Sequence, residues 1–121
     1  PGKEYATRCE LRCPDPACNP YLTFAVILHA GLDGIEKGYE LPEPMQKNLY
    51  HLSDEERKAQ GIDSLPGSLG EAVSLTENSE LVRRALGEHV FTRFIALKKK
   101  EWEDYRIQVT QYELDKYLSI L

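Results

Sequence analysis

Residues 7–22 read TRCELRCPDPACNPYL, and the fold turns on where this stretch changes character. From Tyr5 to Cys13 the side chains alternate, with Arg8, Glu10 and Arg12 to one side and Cys9, Leu11 and Cys13 to the other, which is the period of a β-strand. Pro14 and Pro16 end it, because neither has an amide to give a ladder and each biases its predecessor toward extended geometry. Asn19 then offers an oxygen to the first amides of a helix. Pro20 follows at the first helical position, where its missing N–H costs nothing. The run YLTFAVILHAGL fills this helix until Gly34, whose tolerance of left-handed geometry predicts the stop. Being apolar nearly all round, the helix is expected to be buried.

Further along, residues 35–52, with Gly38, Pro42 and Pro44, hold no sustained period and read as a surface loop. Three pairs then place a hydroxyl three residues before a carboxylate: Ser53 with Glu56, Ser68 with Glu71, and Thr110 with Glu113. Each can close a capping box, so helices are predicted near 54–60, 69–75 and 111–119. NSELVRRAL predicts another over about 79–86, and the longest follows in GEHVFTRFIALKKKEWEDYRIQV. There Phe91, Ile95, Trp102, Tyr105 and Val109 make one apolar stripe that a partner surface must cover. No repeat, low-complexity tract or linker divides the chain, so 1–121 reads as one compact domain.

Composition narrows the classes. The chain has 121 residues, 41% of them hydrophobic, enough for one core. No apolar run is long enough to span a membrane, and the N-terminus lacks a signal-peptide layout, so a cytoplasmic protein is expected. The net charge is −5, and the basic run Lys98–Lys100 is followed at once by Glu101, Glu103 and Asp104. That is a solvated helix face, and nucleic acid is not an expected partner. Cys9, Cys13 and Cys18 form a C-x3-C-x4-C array with no fourth ligand nearby for zinc, and are expected to be reduced and buried. His29 in the buried helix, His51 in a loop and His89 at a helix start share no spacing and read as structural.

The triplet Arg8, Glu10 and Arg12 is the chemical feature. On a strand it repeats about every 7 Å along one face, from a rise of about 3.4 Å per residue. Two guanidinium forks around one carboxylate suit a phosphate and its metal, since a glutamate gives a divalent ion an oxygen while arginine holds phosphoryl or carboxylate oxygens bidentately. A cross-strand ion-pair ladder on an exposed face uses the same residues. Local pattern leaves both open.

TRCELRCPDPACNPYLTFAVILHAGLDGIEKG resembles the segment of type I glutamine synthetases that runs R-[IV]-E-x-R, x-D-P-x-x-N-P-Y-L and A-G-L-D-G-I. KNLYHLSDEERKAQGIDSLPGSLGEAV and ALGEHVFTRFIALKKKEWEDYR look like that family's later segments in the same order. The resemblance implies the C-terminal portion of a much longer catalytic domain, with Pro1 an internal start. It implies an α+β class: a mostly α-helical fragment with one N-terminal strand from the active-site sheet, followed by five or six helices. Its activity joins ammonium to glutamate at the expense of ATP through a γ-glutamyl phosphate, with Mg2+ or Mn2+ as cofactor, in a double-ring homo-oligomer. By position, Glu10 matches a metal ligand. Arg12 matches the catalytic and substrate-binding arginine, Arg8 matches an ATP-binding arginine, and Tyr5 stands where many members have a lysine near the nucleotide. Tyr50, in KNLY, falls at the tyrosine that some members adenylylate.

On this reading the isolated chain is expected to be inactive, and its lone strand is expected to pair with the same 5–13 strand of a second copy as a homodimer. Two other readings stay open: a fragment of a related γ-glutamyl-amine ligase, and a non-catalytic helical interaction module.

Overall fold

A computed structural model describes residues 8–120 of the chain. The polypeptide forms two compact units, Pro1–Leu65 and Pro66–Leu121. The described residues are helical or irregular, and no strand occurs among them.

The expected strand over 5–13 is therefore corrected. Residues 8–13 carry no regular structure, and residues 5–7 lie outside the described residues. Alternation defines two faces, but a strand also needs a neighbour to take up its amides and carbonyls. GYEL at 38–41, which could pair with it within the chain, is turn and coil. A contact with a second copy through 5–13 thus has no strand to build on among the described residues, and the α+β class gives way to a helical one.

In the first unit, α1 spans Pro20–Lys37. The Asn19 side chain accepts from the amides of Tyr21 and Leu22, as its place before Pro20 predicts. The helix runs about one turn past Gly34. It ends at Gly38, in left-handed geometry at φ 63° and ψ 43°, where the Gly38 amide donates to the Ile35 carbonyl and the Tyr39 amide to that of Gly34. This is a Schellman motif, which satisfies the last-turn carbonyls of Gly34 and Ile35.

Burial of α1 also differs from expectation. Tyr21, Phe24, Leu28, Leu32 and Ile35 are all exposed, Tyr21 at 84% and Ile35 at 78%. Their spacings of three and four put them on one face. The one buried residue of the helix is Asp33, whose carboxylate accepts from Lys37 Nζ at 2.7 Å. His29, expected inside, is exposed. Cys9 and Cys13, expected buried, are exposed, as is Leu11, while Cys18 is half-buried and all three thiols are free. A 3-10 turn at Leu49–His51 and α2 at Asp54–Ala59 complete the unit.

In the second unit, α3 (Leu69–Glu77) packs against α4 (Glu80–Arg106), and α5 (Gln111–Tyr117) runs into a final 3-10 turn. Val73, Phe91 and Ile95 form the buried core, with Leu69, Val82, Leu86 and Phe94 around it. The α4 stripe is thus covered over its first half. Trp102 is half-buried against Gly70, where a Cβ would stand 2.6 Å from the indole, while Tyr105 and Val109 are exposed.

Helix α4 is broken at Gly87, whose φ of 72° and ψ of 155° lie in a region essentially reserved for glycine. The break falls between the two helices read from NSELVRRAL and GEHVFTRFI. Arg83 and Glu88 bridge it with a two-point ion pair at 2.8 and 2.9 Å, and the Arg83 guanidinium lies 4.2 Å from the centre of the Phe91 ring. Gly87→Ala is expected to destabilise the unit by about 1–3 kcal/mol, because any Cβ is strained at that geometry. Gly31→Ala is expected to act in the opposite direction by about 0.5–1 kcal/mol, since Gly31 lies inside α1 with open space around it. Urea unfolding of both variants checks the signs; a neutral Gly87→Ala contradicts the strained break.

The three hydroxyl–carboxylate pairs do not all close alike. Ser53 with Glu56 and Thr110 with Glu113 form complete capping boxes. At α3, Ser68 accepts from the Glu71 amide, but the Glu71 carboxylate takes the Gly67 amide at 2.8 Å. Ser68 sits at φ −149°, more extended than Ser53 at −67°, so the reach of the carboxylate falls one residue earlier.

In the complete boxes the cap amide, and then the cap hydroxyl, hold the Glu56 and Glu113 carboxyls below the ordinary glutamate value of about 4.3. An acid with a depressed folded pKa adds stability that is whole above its unfolded pKa and lost as pH falls through the folded one. The Ser53 and Thr110 amide resonances are therefore expected to shift as pH drops below about 4.3, with the first turns of α2 and α5 loosening together. Glu56→Gln removes the α2 response. Amides that stay still through that range contradict the boxes.

Candidate functional site

The residues singled out for chemistry lie in the first unit, just ahead of α1. Arg8, Glu10 and Arg12 occupy an exposed irregular segment that Pro14 and a turn at Asp15–Cys18 terminate, with the Cys18 amide donating to the Asp15 carbonyl at 3.0 Å. The Asp15 carboxylate also accepts the Ala17 amide at 2.7 Å, which fixes the approach to the Asn19 cap.

Within the segment, Arg12 Nε donates to Glu10 Oε1 at 2.7 Å. The pair is open to solvent, with 83% of the Arg12 side chain and 57% of that of Glu10 exposed. The two side chains thus meet without a strand to align them. Arg8 shares the exposed segment but makes no bond to Glu10 among the described residues.

The described residues here do not make a metal site. Glu10 presents one carboxylate, one oxygen of which is taken by Arg12. Among the described residues no group of three or more His, Cys, Asp or Glu comes together to hold an ion. An ion that gathers about six oxygens needs other donors. The cysteine array likewise makes no metal centre among the described residues.

Tyr50 is 97% exposed, in the short 3-10 turn Leu49–His51, where the Asn48 side chain accepts its amide at 3.1 Å. The turn leaves the phenol in solvent.

The other features are explained locally. Lys98 and Lys100 pair with Glu101 and Asp104 on their own helix, and Lys99 reaches Glu77 of α3 at 2.6 Å. The basic run is a self-neutralised helix face, as its acidic neighbours predict. The Arg83–Glu88 bridge was not legible in advance, because it depends on the Gly87 break bringing residues five apart together. No described helix is long and apolar enough to cross a membrane.

Residues 1–117 match the family model described as glutamine synthetase, catalytic domain. Among curated proteins the chain is similar to the glutamine synthetase of Mycolicibacterium smegmatis, 57% identical over 120 residues, covering 99% of this chain and 27% of that protein. It is also similar to those of Methanosarcina mazei, 52% identical over 115 residues (95% of this chain, 26% of that protein), and Thermus thermophilus, 50% identical over 113 residues (93% and 25%). The chain spans about a quarter of the length of these relatives.

Proposed function

The chain belongs to the glutamine synthetase catalytic-domain family, and from that premise we propose that it is the C-terminal part of a glutamate–ammonia ligase. The observation that carries this reading is the match over residues 1–117, which takes in the whole Arg8–Glu10–Arg12 segment. The exposed apolar face of α1 supports it, since five large side chains on one face ask for a cover that the described residues do not supply.

The proposed reaction is ATP-dependent. A γ-carboxylate oxygen of glutamate attacks the terminal phosphorus of ATP and ADP leaves; ammonia then attacks the acyl carbon and phosphate departs with that oxygen. Phosphoryl transfer of this kind asks the protein for position and charge neutralisation. Arg12 clamps the glutamate substrate and the phosphoryl oxygens with its planar fork, Arg8 neutralises nucleotide phosphates, and Glu10 contributes one oxygen to a divalent ion. Mg2+ or Mn2+, when bound, shields the phosphate charge. Residues 1–121 act as a single part of a cytoplasmic, double-ring homo-oligomer, and Tyr50 is a candidate for adenylylation.

The test is isotopic. The full-length polypeptide containing this chain, given glutamate labelled with 18O in its γ-carboxylate, ATP and ammonium, is expected to release glutamine and 18O-phosphate in equal amounts. A panel of amines distinguishes a γ-glutamyl-amine ligase. Glutamine without label in phosphate contradicts the acyl-phosphate route, and no product with any amine contradicts the ligase.

A further inference from the structure

Gly87 parts α4 into two helical halves, residues 80–86 and 88–106, both within the second unit. The glycine confines their angle little, since its backbone has wide freedom and a Cβ built there meets nothing within 4 Å. The contacts that cross the break must therefore set the angle. Val82 and Leu86 of the first half pack on the same small core as Phe91 and Ile95 of the second, but hydrophobic contact is non-directional. The directional contact is Arg83. Its Nη1 donates to both Glu88 carboxylate oxygens, at 2.9 and 2.8 Å, and its guanidinium lies over the Phe91 ring, so the second half grips it at two points. Glu88 is in turn fixed by the Thr92 hydroxyl, which donates to Oε1 at 3.1 Å.

We propose that the Arg83–Glu88 ion pair is the lock of a joint in α4: closed, it makes the two halves move as one, and loss of the Glu88 charge lets the turns on either side of Gly87 open. The other charges around the pair are Glu80, in the arginine's own half and 3.9 Å from its Nε, and Glu77 of α3, itself paired with Lys99. Both act on Arg83, and Arg83 is the charge that acts on Glu88. The Arg83 bond, and after it the Thr92 hydroxyl, hold the Glu88 carboxyl below the ordinary glutamate value. A carboxyl lowered in the folded state adds stability that is whole above its unfolded pKa of about 4.3 and lost as pH falls through the folded one, so the lock is closed at neutral pH and opens in acid. Both side chains reach solvent, which keeps the lock weak enough to open.

Amide hydrogen exchange of the chain at neutral pH reads the joint, with the amides of residues 95–100 as internal reference. Glu88→Gln is expected to speed exchange at residues 84–86 and 91–92 by roughly 1.4- to 5-fold, the equilibrium worth of an exposed ion pair, and to leave the reference amides unchanged. Glu80→Gln removes a carboxylate near Arg83 without touching the lock, and is expected to change neither set. Acid supplies a second measurement on the unaltered chain: corrected for the intrinsic pH dependence of exchange, the same amides are expected to speed up relative to the reference as pH falls below about 4.3, a step that Glu88→Gln lacks. Exchange that quickens equally at 84–86 and 95–100 means that Glu88 supports the whole unit, and the joint is overturned. Unchanged exchange in Glu88→Gln, an equal effect of Glu80→Gln, or an acid step that survives Glu88→Gln overturns the lock.

Discussion

Phe91→Ala is expected to unfold most of the second unit at temperatures where the unaltered chain is folded. Phe91 is 2% exposed and is one of only three buried hydrophobic side chains described, the others being Val73 and Ile95. Truncating a buried phenylalanine costs about 3–5 kcal/mol, through lost transfer energy and the cavity left behind. A unit of this size has roughly 3–8 kcal/mol of stability in all. The same change strips the Arg83 guanidinium of the ring it covers at 4.2 Å, loosening the clamp across the Gly87 break. A thermal midpoint lower by roughly 10 °C or more is the expected result. Leu97→Ala on the exposed side of the same helix is the control, expected within about 0.5 kcal/mol of the unaltered chain. Equal effects of the two contradict the described core.

The second large effect is catalytic and concerns the full-length polypeptide. Glu10→Ala is expected to cut turnover about 10²-fold or more and to raise the metal requirement, because charge neutralisation on the transferred phosphoryl is lost where it acts on the transition state. Arg12→Ala is expected mainly to raise KM for glutamate, by roughly 10- to 150-fold, the worth of a hydrogen bond to a charged group. The difference follows from what each side chain offers. In the proposed roles, the carboxylate would serve the metal and the guanidinium the anionic substrate. Steady-state kinetics at several metal concentrations separates the two. Identical defects in both variants contradict the division of roles.

Helix starts were legible in the sequence because a cap is decided within four residues. Asn19 with Pro20, Ser53 with Glu56 and Thr110 with Glu113 need no distant partner, and the structure forms them as their spacing predicts. The Gly87 break falls where the sequence divided NSELVRRAL from GEHVFTRFI, though no cap marked it. Helix ends were less legible. Gly34 and Gly38 both offer left-handed freedom, and the choice fell to Gly38, where Tyr39 and Lys37 close over the motif.

Long-range features were not legible. The alternation of Arg8 to Cys13 describes faces, whereas a strand is a property of two segments, and no second one is present among the described residues. The apolar run of α1 promised burial, yet burial depends on a cover, and Tyr21, Phe24 and Ile35 remain in solvent. Cys9 and Cys13 are exposed with them. At the site, Glu10 and Arg12 meet as an ion pair in an irregular segment, not as neighbours on a strand face. Which ligands the segment serves depends on groups that neighbouring residues do not specify.

The most direct measurement is glutamine formation by a chimera in which residues 1–121 replace the matching segment of the Mycolicibacterium smegmatis relative, to which they are 57% identical. The expected result is an assembled protein that makes glutamine from ATP, glutamate and ammonium, and that loses this activity with Glu10→Gln while keeping its assembly. A chimera that folds and assembles but makes no glutamine, or one indifferent to Glu10→Gln, contradicts the account.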